Sequence, residues 1–167
     1  PPTTPRRQRQ MCIRDRFLLL IILITFSNCT EDLSNNIPGF EASVDGKDWV
    51  AQSYNATVQN NQLSISGNNQ LGTISMVIDS ININSFELRS WTDDFAVFQD
   101  TIYYSTKNDG IGSIAYLSAG RIDIDEIDYV GNSVSGHFYF ECYDNSGLHV
   151  KTVSEGVFYR VPINTED

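Results

Sequence analysis

The stretch HFYFECY, residues 137–143, carries the clearest strand signal in this 167-residue chain. Phe138, Phe140 and Cys142 alternate with polar or amphipathic side chains, so a strand would place these three on one face. The turn-forming run Asp144-Asn145-Ser146-Gly147 follows directly, which predicts a hairpin with the segment after it. We interpret Cys142 as a buried apolar thiol, because it shares a face with two phenylalanines.

The chain on either side of this hairpin has the same pattern of short strands and turns. Asp45-Gly46 and Asn60-Asn61 are turn signals, since Gly and Asn tolerate positive φ. Gly156 marks a change in the alternation and predicts a β-bulge, and Pro162 is expected to end the last strand. No segment of the domain has a helical apolar period. The pattern predicts one all-β domain over residues 38–163, either an antiparallel β-sandwich or a flattened β-barrel.

An apolar run, FLLLIILITF at residues 17–26, precedes this domain. It is shorter than the ~20 residues that a transmembrane helix needs, and it is typical of the apolar region of a secretory signal. The block ITFSNC, residues 24–29, resembles a lipobox, where lipoprotein signal peptidase cuts before a cysteine. We therefore predict a signal peptide over residues 17–28 and lipidation of Cys29.

The segments beside the signal peptide have no globular pattern. Residues 1–16 resemble translated sequencing-adapter read-through, and we exclude them from the fold as a non-native scar. Residues 29–37 form the lipidated cysteine and a flexible acidic tether, and residues 164–167 form a tail. Glu31 and Asp32 resemble the surface-export signal of Bacteroidota lipoproteins. These features predict an outer-membrane lipoprotein that is exposed to the periplasm or to the cell surface.

Charge restricts the partners of the mature chain. Removing residues 1–28 leaves 139 residues with 6 basic and 20 acidic side chains, a net charge of −14. Such a negative field repels nucleic acid and anionic lipid headgroups, so we expect no nucleic-acid partner. With Cys29 lipidated, Cys142 has no cysteine to pair with inside the domain.

Several motifs resemble a Bacteroidota lipoprotein family of unknown function. They are FEASVDGKDW at 40–49, GRIDI at 120–124, VSGHFYF at 134–140 and VSEGVF at 153–158. The resemblance implies a lipid-anchored β domain of the cell envelope. Because the family carries no established activity, it implies no catalytic residue.

Acidic and histidine side chains suggest two candidate metal sites. Calcium prefers several oxygen ligands, and the densest acid cluster comprises Asp123, Asp125, Glu126 and Asp128. Alternation with isoleucines also explains these acids as the solvated face of a strand. His137 and His149 flank the predicted hairpin, and Glu141 would be the nearest third ligand. Surface histidines without a metal are the alternative.

Two features point to carbohydrate chemistry. Tyr139 and Tyr143 would lie on the outer face of their strand, where exposed rings can stack on sugars. Aromatic side chains that cover the edge of a core are the alternative. Separately, Asp79-Ser80-Ile81 and Asp100-Thr101-Ile102 resemble the O-glycosylation site of Bacteroidota envelope proteins, with Ser80 and Thr101 as acceptors.

Hydrolase signatures are missing from the sequence, which contains neither G-x-S-x-G nor H-E-x-x-H. We therefore expect a protein that is not an enzyme and has no cofactor unless Ca²⁺ binds the acid cluster. The leading hypothesis is a lipid-anchored envelope protein acting as a binding or structural β module, with a glycan or an envelope protein as partner. A carbohydrate-binding accessory lipoprotein and a lipocalin-like binder of small ligands are the alternatives.

Overall fold

The computed structural model describes residue 37, residues 39–112 and residues 116–165. These residues belong to one compact unit, Ile37–Asp167. The described part of the chain contains strands and turns but no helix, and so none of its elements is a helix that could cross a membrane. The predicted scar and signal peptide, together with Cys29, Glu31 and Asp32, lie outside the described residues.

The described residues form eleven strands, which confirms the predicted all-β class. The strands are β1 (Gly39–Val44), β2 (Lys47–Val50), β3 (Ser53–Gln59), β4 (Gln62–Asn69), β5 (Gly72–Ile78), β6 (Ser85–Leu88), β7 (Phe95–Gln99), β8 (Tyr103–Ser105), β9 (Ala119–Asp128), β10 (Ser133–Asp144) and β11 (Val150–Thr165).

The strands pair in a closed circuit with two extensions. The circuit runs β11-β3-β4-β5-β7-β8-β10 and returns to β11 through the β10–β11 hairpin. Strands β1 and β2 extend the sheet from β11, and β9 and β6 extend it from β10. The pairs are antiparallel except β11 with β3, which is parallel. The closed circuit forms a barrel. Its two layers are β2-β1-β11-β10-β9-β6 and β3-β4-β5-β7-β8, since Phe40 and Trp49 of the first layer contact Gly67 and Gly72 of the second across the interior.

Aromatic side chains fill the space between the layers. The Phe40 ring lies 5.5 Å from the Trp49 ring and 5.3 Å from the Phe138 ring, both edge-to-face. The indole of Trp49 is fully buried and donates a hydrogen bond to the carbonyl of Gly72, in the opposite layer, at 3.3 Å. Edge-to-face rings add stability beyond the apolar area that they bury. The core therefore fixes how the β1–β2 hairpin packs over β4 and β5.

The predicted bulge near Gly156 is confirmed. Phe138 pairs with Gly156 and Phe140 pairs with Val153, so β11 has one residue more than β10 between these pairs. Glu155 lies in this interval with a φ of 52°. A bulge of this kind bends the strand and raises its twist, and it explains the change in alternation before the end of the strand.

The prediction that Pro162 ends the last strand is wrong, because β11 continues to Thr165. Position 162 lies between Tyr159, which pairs with β1, and Ile163, which pairs with β3. Arg160, with a φ of 48°, marks a second bulge just before it. A proline without an N–H is tolerated at such an interruption of the hydrogen-bond ladder.

Gly67→Ala tests the contact between the two layers. A Cβ at Gly67 would lie 2.3 Å from Cδ1 of Phe40, whereas a Cβ at Gly39 would meet nothing nearer than 3.8 Å. We expect Gly67→Ala to lower the free energy of unfolding by about 1–3 kcal/mol, as overpacking of cores does. Gly39→Ala is the matched control and should leave stability nearly unchanged. Equal denaturation midpoints for the two variants would contradict this packing.

Candidate functional site

Along β3, β4 and β5, side chains that point into the core alternate with side chains that point outward. None of the outward side chains is charged. Apart from Val77, these outward positions carry hydroxyl or amide groups. We call this surface the neutral face, and its central residues are Ser53, Asn55, Thr57, Ser64, Ser66, Asn68, Thr73 and Ser75. Each of the listed side chains is exposed or half-buried.

The strand register arranges the neutral face in rows. Asn55, Ser66 and Ser75 are paired across the three strands. The hydroxyls of Ser66 and Ser75 lie 3.1 Å apart, and the hydroxyl of Ser53 donates to Oδ1 of Asn68 at 3.0 Å. Neighbouring strands are about 4.8 Å apart, so the face is a flat array of closely spaced donors and acceptors. It can bind a polar, uncharged surface without removing water from an ion.

The outer surface of the opposite layer has a different character. We call it the charged face, and its charged residues include Glu41, Glu87, Arg121, Asp123 and Glu141. Cross-strand pairing places Arg121 between Glu87 and Tyr139. The acidic charge of the domain is therefore distributed unequally between its two broad surfaces.

The four acids of the predicted calcium site do not converge. Asp123 accepts a hydrogen bond from a serine of β6, and Oδ2 of Asp125 lies 2.5 Å from Nδ1 of His137. Asp128 accepts hydrogen bonds from backbone N–H groups of the following turn, which lower its pKa. Glu126 is exposed. Among the described residues, no three His, Cys, Asp or Glu side chains are grouped so that they could hold a metal ion.

The two histidines do not share a site. His137 contacts Asp125 of β9, whereas His149 contacts Asp144 at the end of β10. Nδ1 of His149 lies 3.0 Å from Oδ2 of Asp144, and the hydroxyl of Ser146 donates to the same oxygen at 2.7 Å. The backbone N–H groups of Leu148 and His149 donate to Oδ1. In a catalytic triad the imidazole lies between serine and acid. Here the acid lies between them, so the cluster closes the β10–β11 turn.

The two candidate stacking residues have different surroundings. Tyr139 lies on the charged face with 51% of its surface exposed, beside a groove of about 380 Å³. The ring of Tyr143 covers Gly110, where a Cβ would lie 2.5 Å from Cε1 of the tyrosine. The two positions are also about 13 Å apart along the strand. The structure therefore does not combine them in one stacking surface.

The two candidate glycosylation sites lie in surface loops. Ser80 follows β5 and its hydroxyl accepts a hydrogen bond from Nδ2 of Asn82 at 2.7 Å. Thr101 is exposed in the turn between β7 and β8, next to Asp100. Modification at Ser80 and Thr101 stays a prediction.

Cys142 is fully buried, as the alternation of HFYFECY predicts. Burial raises the pKa of its thiol to about 12. A thiol reacts as its thiolate, so this side chain is inert in the folded domain.

The family assignment follows from the sequence of this same β domain. A family model described as "Domain of unknown function (DUF6252)" matches residues 36–162. The chain belongs to the DUF6252 family. The match includes the neutral face, the charged face and nearly all of β11. Neither a curated protein nor a solved structure matches this chain.

Asp144→Asn tests the closure of the β10–β11 turn. Hydrogen bonds from Ser146, His149 and the turn backbone hold the pKa of Asp144 below its ordinary value. Its contribution to stability is therefore present above about pH 4, the unfolded value, and is lost as the pH falls towards the folded value. We expect Asp144→Asn to lower the urea midpoint at pH 6 and to differ less from the parent below pH 4. A difference independent of pH would contradict this.

Proposed function

We propose that this DUF6252 protein is a lipid-anchored, non-catalytic module of the cell envelope that binds its partner on an outer face of the domain. The observation that carries the proposal is the filled interior. The fully buried side chains of the core include Phe40, Trp49, Leu63, Met76, Phe140 and Phe158. A lipocalin-like binder needs an open interior, and these side chains occupy that space.

The chemistry of the polar groups supports a non-catalytic role. The thiol of Cys142 is buried and protonated, and the hydroxyl of Ser146 is bonded to a carboxylate instead of an imidazole. His137 of β10 pairs with Asp125 of β9, and His149 pairs with Asp144 in the β10–β11 turn. These contacts support turns and strand pairs.

The anchoring part of the proposal comes from the sequence. The lipobox-like block ends at Cys29, and the described domain begins eight residues later at Ile37. A protein attached in this way stays at the membrane surface. Because Glu31 and Asp32 resemble a surface-export signal, we propose the outer membrane as its location, facing the periplasm or the cell exterior.

Cys29→Ser tests the anchor. We expect the chain, expressed from Met11 in a Gram-negative host, to enter the detergent phase on Triton X-114 partition and to gain the mass of a lipid. The Cys29→Ser variant should lack that mass and should keep its signal peptide, because the peptidase cuts before a cysteine and the lipid is attached to that residue. Cys142→Ser is the control and should partition like the parent. A lipid mass on the Cys29→Ser variant, or its absence from the parent, would contradict lipidation at this residue.

Carbohydrate binding is the second candidate function, and the neutral face favours it. Sugar hydroxyls need both donors and acceptors, and the side chains of β3, β4 and β5 supply both. A neutral glycan is also not repelled by a domain of strongly negative charge. In this second proposal the glycan binds a different surface from the one that carries Tyr139.

Two variants locate such a glycan. Ser66→Lys puts a charge at the centre of the neutral face, and Tyr139→Ala removes the exposed ring of the charged face. With neutral and anionic polysaccharides as probes in affinity electrophoresis, we expect retardation by a neutral glycan. Ser66→Lys should weaken it at least tenfold, and Tyr139→Ala should not. Loss in Tyr139→Ala alone would move the site to the charged face, and absence of any retardation would reject the second candidate. Thermal melting of both variants checks that they fold.

A further inference from the structure

We infer that one end of the domain, the end that carries Ile37 and the β9–β10 turn, contacts a zwitterionic lipid surface. This inference rests on the proposed anchor at Cys29 and adds an orientation to it. The turn between β9 and β10 comprises residues 129–132. We call Ile37, Tyr129 and Val130 together the apolar tip.

The apolar tip consists of the three most exposed large hydrophobic side chains among the described residues. Val130 has 95% of its surface exposed, Tyr129 has 75% and Ile37 has 74%. Single exposed apolar residues are ordinary. Here the three share one end of the domain, and Ile37, the first described residue, is only a short stretch of sequence away from Cys29.

The strand register shows that these residues share an end. Gly39, two residues after Ile37, pairs with Tyr159 of β11. Three residues further along β11, Pro162 pairs with Ser133, the first residue after the β9–β10 turn. The hydrogen bond from the N–H of Ile163 to the carbonyl of Asn132, at 2.8 Å, joins the turn to this end of β11.

The length of the tether brings this end to the membrane. Seven residues lie between Cys29 and Ile37, and an extended chain spans at most about 3.5 Å per residue, or about 28 Å over the eight steps from Cys29 to Ile37. A lipid at Cys29 therefore keeps the apolar tip near the bilayer, which gives even a small contact a high effective concentration. A contact too weak to recruit a free protein can then orient an anchored one.

The turn is suited to the interface in its backbone as well as its side chains. Oδ1 of Asp128 accepts the N–H groups of Val130 at 2.9 Å and Gly131 at 2.8 Å. Because these backbone N–H groups are already hydrogen-bonded, the free-energy cost of moving them out of water is lower. Tyrosine is the residue type that prefers the headgroup region.

The charge of this end selects the type of lipid. Asp125, Glu126 and Asp128 lie just before the turn, and Arg160 lines the same groove as Asp128. The three carboxylates outnumber this one basic group, so a surface of anionic headgroups would repel this end. A zwitterionic surface presents no net charge to these carboxylates. The apolar tip can then enter while the acids remain in water.

A fluorophore at the apolar tip tests the inference in the lipidated full chain. Val130→Cys is labelled with an environment-sensitive thiol dye, and the buried Cys142 will not compete for it. Leu148→Cys is the matched control, since Leu148 is 71% exposed in the turn at the other end of the β10–β11 hairpin. Both proteins are reconstituted into phosphatidylcholine vesicles that contain a doxyl-labelled lipid.

We expect the dye at position 130 to shift to the blue and to be quenched several-fold more than the dye at position 148. Vesicles made with anionic phosphatidylglycerol should reduce that difference. Equal quenching at the two positions in protein that floats with the vesicles would overturn the orientation and leave the anchor in place. Failure of the protein to float with the vesicles would overturn the anchor and, with it, this inference.

Discussion

The β10–β11 hairpin is the constraint on which the rest of the structure depends. One edge of β11 pairs with β10, while its other edge pairs first with β1 and then with β3. The outer edge of β10 is divided in the same way between β9 and β8. These two strands therefore join one layer to the other, through β3 and β8. Strands shared in this way must bend, and the bulges at Glu155 and Arg160 supply the bend in β11.

Phenylalanine rings set against glycines make this arrangement compact. A Cβ on the glycine would overlap the ring in four contacts, namely Gly67 with Phe40, Gly72 with Phe98, Gly136 with Phe158 and Gly156 with Phe138. Interiors pack as densely as organic crystals. Each phenylalanine ring occupies the space that a Cβ on the facing glycine would need. The same packing leaves the outer faces and the ends of the domain as the surfaces available to a partner.

Local signals in the sequence predicted the local structure well. Asp45-Gly46 and Asn60-Asn61 form the expected turns, with positive φ at all four residues, because a left-handed backbone is a property of the residue itself. Strand β7, Phe95–Gln99, carries no such local signal in the sequence. Ala96, Val97 and Phe98 are all buried, so the strand lacks the alternation that identifies one half-buried in a sheet. Burial on both faces comes from the tertiary structure.

The candidate binding surfaces also show that local sequence signals do not reveal which residues the fold brings together. The acids of β9 are conspicuous because they are close together in the chain, yet Asp123, Asp125 and Asp128 each contact a separate local partner and Glu126 is exposed. Asn55, Ser66 and Ser75 form a row only because of strand order and register, which the sequence pattern left open.

The separation of charge between the faces has a physical consequence for binding. A partner on the charged face must compensate ions that are well solvated when the domain is free. A partner on the neutral face exchanges hydroxyl and amide hydrogen bonds with water for similar bonds across the interface. Acidic groups on the other surfaces still repel further copies of the same domain. The neutral face is therefore the surface on which a neutral partner can be held while the rest of the domain keeps its hydration.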